Sequence, residues 1–205
     1  MKIKKNFFIS FEGPEASGKS SQIKLLSSFL TKQKIPFLIT REPGGTINAE
    51  KLRKIILDKK SNISVIEEIL LLMAGRLDHI NNVIKPALKN GKIVISDRFA
   101  DSTFVYQGYV NNYGLKKTQE LHKNLLNNFL PKKTFLFLLS EKNINIRLKN
   151  RKIHNKYDKI NLNFHKKVIS GYQLISKKNK RFHLIDANKD ISSIHKEIIK
   201  TLFFV

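Results

Sequence analysis

Cysteine is absent from the chain's 205 residues. This absence excludes disulfides, cysteine nucleophiles and thiolate metal sites together. Long apolar runs are absent as well. No stretch approaches the roughly 20 residues that a membrane span needs, and the basic start of the chain shows no signal-peptide pattern. We therefore expect a cytoplasmic protein without a membrane partner.

Acidic residues are scarce, since 16 Asp and Glu stand against 39 Lys and Arg, for a net charge of +23. Such a charge is typical of proteins that bind nucleic acid or a membrane surface. The lysines are scattered, however, and form no basic tail and no basic stripe interleaved with aromatic residues. This favours a general compositional bias, with lysines on solvated faces that would steer polyanionic nucleotides inward. We do not expect nucleic acid as a partner.

A phosphate-binding loop is the strongest motif in the chain. Its residues are Gly13, Pro14, Glu15, Ala16, Ser17, Gly18, Lys19 and Ser20. An apolar run precedes the loop and a helical pattern follows it, which disfavours a chance match in a Gly- and Ser-rich turn. Glycines let backbone N–H groups converge on phosphate oxygens. Lys19 adds charge near the terminal phosphates, and the Ser20 hydroxyl can ligate Mg²⁺.

Strand-like apolar runs alternate with helical patterns throughout the chain. The predicted strands are 6–12, 36–40, 92–98, 134–139 and 182–186. The alternation predicts an α/β fold, with a parallel sheet of about five strands and helices on both faces. Because the chain has no linker, repeat or low-complexity segment, we expect one domain over residues 1–205.

Some predicted helices have defined ends. One is expected over 65–90 with an interruption near Pro86, and another over 118–129, ended by Pro131. Thr46 or Asn48 is expected to cap the helix after the second strand. The segment that follows the third strand, residues 101–108, is polar and aromatic.

Charged residues follow the ends of several predicted strands. These are Arg41 with Glu42, Asp97 with Arg98, and Asp186. Ligands in such sheets bind beyond the carboxyl ends of the strands, so we expect these groups at one edge. Asp97 is placed to hold Mg²⁺ through water, and Arg98 to clamp a phosphate. A local ion pair is the alternative for Asp97 and Arg98.

The chain resembles the thymidylate kinases from the first strand to the final helix. The shared motifs are the phosphate loop with an acid at its third position, Arg41-Glu42-Pro43-Gly44-Gly45-Thr46, Ala74-Gly75-Arg76, Asp97-Arg98-Phe99, Ser102 with Tyr106-Gln107-Gly108, a basic stretch at 147–152 and Ile185-Asp186-Ala187. The resemblance implies a three-layer P-loop NTPase fold. It also implies phosphorylation of dTMP to dTDP with ATP and Mg²⁺, in dTTP synthesis.

The resemblance implies roles at the phosphate end of the site. Lys19 and Arg98 are implied to be catalytic together with Glu15, which would contact the 3′-hydroxyl of the acceptor and lie near the metal. Arg53 and Arg98 would hold the acceptor phosphate, and Arg41 would belong to the same substrate site.

It implies further roles at the two base-binding ends. Arg76 and Gln107 would read the polar edge of thymine, with Ser102 close by. The family usually has a phenylalanine stacked on thymine where this chain has Leu72, so a soft apolar contact would replace stacking. Arg147 would stack on the adenine of the donor.

A basic lid is implied over about residues 147–160. Ala16 occupies a loop position where one branch of the family has arginine, so the chain resembles the bacterial branch, whose lid supplies the charge. Arg151 is the implied catalytic residue, with Lys149 as a second candidate. The basic pattern alone is equally consistent with a solvated helix face. The resemblance also suggests a homodimer with a seam near Leu70 and Leu77, although these residues could simply be core.

Two other functions stay open from the sequence. The same fold could phosphorylate another nucleotide or nucleoside. Less well supported is a basic P-loop ATPase that binds nucleic acid, because nearly every element of the chain is already used by the kinase pattern. Salt-dependent DNA retention with stimulated ATPase activity would favour this second alternative.

Overall fold

The computed structural model describes residues 7–58, 60–140, 143–144, 146–147, 162–177 and 179–203. Its strands are β1 (Phe8–Glu12), β2 (Phe37–Arg41), β3 (Ile93–Asp97), β4 (Lys133–Leu138) and β5 (Phe182–Asp186). They form one parallel sheet in the order β2-β3-β1-β4-β5. The predicted α/β fold with a five-stranded sheet is confirmed.

Helices connect the strands and cover both faces of the sheet. They are α1 (Lys19–Lys32), α2 (Ile47–Leu57), α3 (Val65–His79), α4 (Lys85–Lys89), α5 (Ala100–Thr103), α6 (Leu115–Leu126), α7 (Leu162–Ser176) and α8 (Ile191–Phe203). A π-helical turn, Ile80–Ile84, joins α3 to α4, and a second one, Phe104–Val110, continues α5. None of the described helices is long and apolar enough to cross a membrane.

The central strand β1 is buried along its whole length. Ile9 and Phe11 pack into a core with α1 and α8, whereas Phe8 packs on the opposite face against α3 and α6. Burying each such side chain stabilises the fold by about 1.5–3 kcal/mol. The sheet therefore has two apolar faces, and polar chemistry is left to its edges and strand ends.

The strand register brings the polar strand ends together. Phe11 pairs with Asp97, and Asp97 pairs in turn with Arg41. Glu12, Arg41 and Asp97 are thus the last residues of three adjacent parallel strands. They lie at one edge beside the phosphate loop, as the sequence predicts.

One helix differs from its predicted bounds, and the interruption expected near Pro86 is present. The helix predicted over 118–129 is α6, Leu115–Leu126, because Asn127 and Asn128 take left-handed conformations before Pro131 is reached. The long helix 65–90 is interrupted at Ile80–Ile84, on the N-terminal side of Pro86. Proline removes a backbone donor and crowds the preceding turn, which accounts for an irregularity there. Thr46, one of the two candidates, caps α2 by accepting a hydrogen bond from the Ala49 N–H.

The polar, aromatic segment 101–108 is helical, spanning most of α5 and the second π-helical turn. Its buried face carries Asp101, Thr103 and Gln107 alongside Phe104. Because the inward face is partly polar, the apolar periodicity of a helix is hidden in the sequence. π-helical turns of this kind occur often at functional sites.

Candidate active site

A cavity of about 580 Å³ opens at the carboxyl edge of the sheet. The phosphate loop lines one end, and α3 with the second π-helical turn lines the other. Most of the predicted site residues line this cavity: Glu15, Ala16, Ser17, Gly18, Lys19, Ser20, Arg41, Arg53, Leu72, Arg76, Asp97, Arg98, Ser102, Gln107 and Arg147. Its size suits a small-molecule ligand.

The phosphate loop wraps around the ammonium group of Lys19. Lys19 Nζ donates to the carbonyl oxygens of Gly13 and Pro14 at 3.1 and 2.8 Å, and to Ser17 Oγ at 3.3 Å. Gly13 has a φ of +138°, and a Cβ there would overlap the Phe137 carbonyl oxygen, so glycine is required. Burial, and next the charge of Arg98, lower the pKa of Lys19 to about 8. The ammonium group of Lys19 is thus desolvated and positioned to bind an anion.

Ser20 and Asp97 present oxygen ligands beside this loop. Ser20 Oγ donates to Asp97 Oδ2 at 2.9 Å, across 77 positions of the chain. Among the described residues, no group of three or more His, Asp and Glu side chains could hold a metal by itself. The pair fits Mg²⁺, which usually takes one or two protein oxygens and completes its shell with water and phosphate oxygens.

Arg98 is held from both sides of its guanidinium group. Nη2 donates to Glu15 Oε1 at 2.9 Å, and Nη1 donates to Gly13 O at 2.9 Å, Ser102 Oγ at 3.1 Å and Tyr172 Oη at 3.2 Å. Burial alone would raise the pKa of Glu15, but Arg98, Lys19 and hydrogen bonds from Tyr106 lower it below its usual range. Glu15 is therefore ionised, and Arg98 is fixed at the cavity wall.

Glu12 lies behind Arg98 with no solvent exposure. Its carboxylate accepts hydrogen bonds from Phe99 N at 2.7 Å, Ser102 Oγ at 2.6 Å and Tyr172 Oη at 2.8 Å. Burial, and next the charge of Asp101, raise its pKa to about 7. Glu12 thus orients the two hydroxyl groups that contact Arg98.

A second buried carboxylate, Glu42, holds Arg76 at the far end of the cavity. Arg76 Nε donates to Glu42 Oε2 at 2.7 Å, and Nη2 donates to Thr103 Oγ1 at 2.8 Å. The other Glu42 oxygen lies 2.9 Å from His79 Nδ1, and His79 Nε2 lies 2.6 Å from Thr40 Oγ1. This chain of contacts fixes Arg76 and neutralises its charge.

Comparison with known proteins decides the family. The thymidylate kinase family model matches residues 11–198. The chain belongs to the thymidylate kinase family. It is 43% identical over 201 residues to a thymidylate kinase of Mycoplasma capricolum, covering 95% of this chain and 93% of that one. A thymidylate kinase of Thermoanaerobacter sp. is 38% identical over 196 residues, covering 95% and 96%.

A solved structure gives the same family. The crystal structure of thymidylate kinase from Ehrlichia chaffeensis superposes with a TM-score of 0.74 at 32% sequence identity, covering 96% of this chain and 98% of that one. The thymidylate kinase fold therefore extends over nearly all of the chain. The predicted resemblance is confirmed.

Not every predicted residue lies in the cavity wall of this thymidylate kinase family member. Gly13 and Pro14 belong to the loop and contribute carbonyl oxygens to Lys19. Asp186 ends β5 as predicted, but its carboxylate is exposed, accepts from Asn188 N at 3.0 Å and does not line the cavity. Lys149, Arg151 and most of the predicted lid lie outside the described residues.

Two cavity arginines take backbone partners. Arg53 Nη1 donates to Pro43 O at 2.6 Å. Arg147, the described part of the predicted lid, donates from Nη2 to Ala187 O at 2.9 Å and from Nη1 to Ala16 O at 3.4 Å. Arg147 therefore lies over the phosphate loop.

Sequence reasoning missed the buried residues that hold the site arginines. Glu12 carried a signal, since it is the one acid in a largely apolar strand and directly precedes the phosphate loop. Glu42 and His79 stood in recognised segments but were given no role. Tyr172 lies among apolar helix residues, and nothing local in the sequence marks it.

Proposed function

We infer that this chain phosphorylates dTMP to dTDP with ATP and Mg²⁺, a step in dTTP synthesis. The observation that carries the inference is one cavity with a phosphate loop at one end and a neutralised arginine beside an amide at the other. Membership of the thymidylate kinase family over residues 11–198 supports it. Phosphoryl transfer needs mainly positioning and charge neutralisation, and this cavity offers both.

Lys19 and the loop N–H groups bind the terminal phosphates of the donor. The buried ammonium group of Lys19 stabilises negative charge more strongly than it would in water. Ser20 and Asp97 would hold Mg²⁺, which when bound supplies further neutralisation of phosphate charge. Arg147, which donates to the carbonyl oxygens of Ala16 and Ala187, would stack on the adenine of the donor.

Arg98 and Arg53 bind the acceptor phosphate, with Arg41 nearby at the same wall. Arg98 reaches the cavity with two of its nitrogens already oriented by Glu15, Gly13, Ser102 and Tyr172, so binding loses little side-chain entropy. Glu15 orients Arg98 and is available to the sugar hydroxyl of the acceptor.

Arg76 and Gln107 bind the polar edge of thymine. Arginine only donates hydrogen bonds, which suits a carbonyl oxygen of the base. Leu72 lies one helical turn before Arg76 and also lines the cavity, so it offers the ring an apolar contact. Ser102 completes the wall near Arg98.

The rest of the proposal concerns the lid and the assembly. We propose one domain over residues 1–205 with a lid over about 147–160, in which Arg151 supplies charge on closure. We propose that the protein acts in the cytoplasm, where ATP is available as the donor. We also propose a homodimer through α3, because Leu70 and Leu77 are 52% and 45% exposed rather than core residues. Sedimentation of wild type and Leu70→Asp tests this, with loss of the dimer expected for the variant.

A coupled ADP-release assay against a panel of nucleoside monophosphates tests the function. We expect dTMP to give the highest kcat/KM. A preference for dCMP or AMP would contradict the assignment of dTMP as the acceptor. The protein would still be a nucleotide kinase of the same fold. ADP formation without any acceptor, stimulated by DNA and lost at high salt, would contradict the kinase itself.

A further inference from the structure

A buried carboxylate faces the amide of Gln107 at the base end of the cavity. Gln107 Nε2 donates to Glu68 Oε1 at 3.3 Å, and the two side chains are only 3% and 6% exposed. Glu68 lies on the same stripe of α3 as Leu72 and Arg76, each one turn further along, and all three line the cavity. Glu68 therefore lies in the cavity wall at the base end, in contact with Gln107.

The backbone of Gln107 is fixed in this position. Its carbonyl oxygen accepts from Tyr113 N at 3.3 Å, and the following Gly108 O accepts from Gly114 N at 2.8 Å. A Cβ at position 108 would come within 2.8 Å of Thr118 Oγ1, so this turn packs closely on α6. The freedom that remains to Gln107 lies largely in the orientation of its side-chain amide.

A side-chain amide has two nearly isosteric ends, one of which donates hydrogen bonds while the other accepts them. A carboxylate only accepts, so Glu68 selects the nitrogen end of Gln107 and turns the oxygen away. None of the described residues donates a hydrogen bond to that oxygen. The oxygen is also absent from the buried polar atoms that lack a partner, so it is not fully buried. It is therefore left available to the cavity as an acceptor.

The resulting donor and acceptor pattern distinguishes the pyrimidines. A 4-oxo base such as thymine carries an N3–H donor beside a carbonyl acceptor, whereas a 4-amino base such as cytosine carries an N3 acceptor beside an amino donor. An amide oxygen beside the donors of Arg76 matches the N3–H and the 4-carbonyl of thymine. The same arrangement places acceptor against acceptor at N3 of cytosine and donor against donor at its 4-amino group. A reversed amide would remove half of that opposition.

We propose that Glu68 is a positioning residue that sets selectivity for 4-oxo over 4-amino pyrimidine nucleotides by fixing the orientation of the Gln107 amide. The inference rests on the proposed function, because it concerns the same acceptor site. Glu68 acts through Gln107 and does not itself contact the base. Leaving a buried polar group unpaired is the penalty that the wrong base incurs.

The test compares kcat/KM for dTMP and dCMP in wild type, Glu68→Gln and Glu68→Asp. Glutamine can either donate or accept, so the Gln107 amide can reverse, and we expect the dTMP-to-dCMP ratio to fall on the order of tenfold. Glu68→Asp keeps an acceptor-only group and should retain a ratio nearer to wild type. Glu67→Gln is the matched control, because it makes the same change on an exposed neighbour in α3. Its ratio should equal that of wild type.

The outcomes separate the inference from the function on which it rests. A parallel fall of both kcat/KM values in Glu68→Gln, with an unchanged ratio, would overturn the inference and leave dTMP kinase activity standing. A wild-type enzyme without preference for dTMP would overturn both. Should Glu68→Gln fail to fold, neutron diffraction of the deuterium-exchanged wild type with dTMP decides. Amide deuterons on the Glu68 side support the inference, and deuterons on the base side refute it.

Discussion

Two buried carboxylates each hold an arginine at the wall of one cavity, with different results. Glu15 pairs with Arg98 at 2.9 Å, and the Arg98 side chain keeps 18% of its exposure. Glu42 pairs with Arg76 at 2.7 Å, and the Arg76 side chain keeps 1%. The cavity wall that Arg98 lines also carries Lys19, Arg41, Arg53 and Arg147, whereas Arg76 shares its end with the acids Glu42 and Glu68.

The difference follows the charge of what each end binds. Basic residues outnumber acids at the phosphate end, so positive charge remains after Glu15 is paired, and a phosphate completes the balance. At the base end Glu42 already balances the charge of Arg76, so a neutral ring meets a surface of directional hydrogen-bonding groups. The same type of ion pair thus presents a charge in one place and a hydrogen-bond pattern in the other.

The largest expected effect is at the phosphate end. Lys19→Ala removes the ammonium group held by Gly13, Pro14 and Ser17, and we expect kcat to fall by about 10²–10³-fold in a folded protein. Steady-state kinetics with a thermal melt measure both properties. Lys24→Ala, an exposed lysine on the same helix, is the control and should match wild type. A folded Lys19→Ala variant with normal kcat would show that the phosphate loop has no role in catalysis.

Arg98→Lys tests whether the fixed guanidinium geometry matters beyond its charge. Lysine cannot reach Glu15, Gly13 and the acceptor phosphate together, so we expect kcat/KM for dTMP to fall roughly 100-fold, or about 2.7 kcal/mol. Arg181→Lys changes another carboxylate-paired arginine, which contacts Asp101 at 2.7 Å outside this cavity. Its KM for dTMP should stay within about twofold of wild type. Equal losses in both variants would mean that the comparison reflects stability alone.

Glu42→Gln is expected to act mainly on stability and base binding. An amide cannot accept from both Arg76 and His79, so we expect the free energy of unfolding to fall by about 2 kcal/mol. KM for dTMP should rise while kcat changes little. Urea denaturation and kinetics measure these effects. Glu197→Gln, which changes a half-exposed partner of His183, should cost less than about 1 kcal/mol. A large loss of kcat with unchanged stability would contradict this prediction, because Glu42 would then act on turnover as the residues of the phosphate end do.

The dependence of stability on pH is expected to reflect Glu12. Its folded-state pKa is about 7 against an ordinary value of 4.5, with Asp101 and Arg98 as the charged groups that face it. The folded state keeps this proton longer than the unfolded state. The stability that it contributes is therefore complete below about pH 4.5 and lost as pH rises through 7, by about 3 kcal/mol.

Urea denaturation of wild type and Glu12→Gln between pH 5 and 8 measures this contribution. The variant cannot titrate at position 12, so the difference in unfolding free energy between the two proteins should move in favour of the variant as pH rises. Two parallel pH profiles would show that Glu12 does not hold its proton in the folded state.

The sequence predicted the parts of this site that lie in local patterns. The phosphate loop and the ends of β1 to β3 needed only spacing, strand-to-helix context and the rule that parallel strands end at one edge. Phe104–Val110 was not recognised as helical, because its buried face mixes Gln107 with aromatic residues. That face is buried by contacts with distant parts of the chain, such as Gln107 with Glu68, and local spacing does not encode these contacts.

The supporting residues were not predictable for a related reason. Tyr172 and Glu12 become partners only when α7 packs beside β1, and Glu42 meets His79 through the packing of α3 against the end of β2. Glu68 lies two helical turns before the recognised Arg76, but its partner Gln107 is 39 positions away. Pairing across such distances is a property of the fold rather than of either segment.

The contact between Glu12 and Tyr172 spans 160 positions of the chain. Tyr172 also contacts Arg98, so the guanidinium group receives its full set of contacts only after β1, β3 and α7 have come together. During synthesis the phosphate loop emerges early, whereas the residue that completes the Arg98 contacts emerges when more than four fifths of the chain is made. Catalytic activity is therefore a late event in the folding of this protein. Its recovery after dilution from denaturant should follow the slow, long-range steps of sheet assembly rather than the rapid formation of helices.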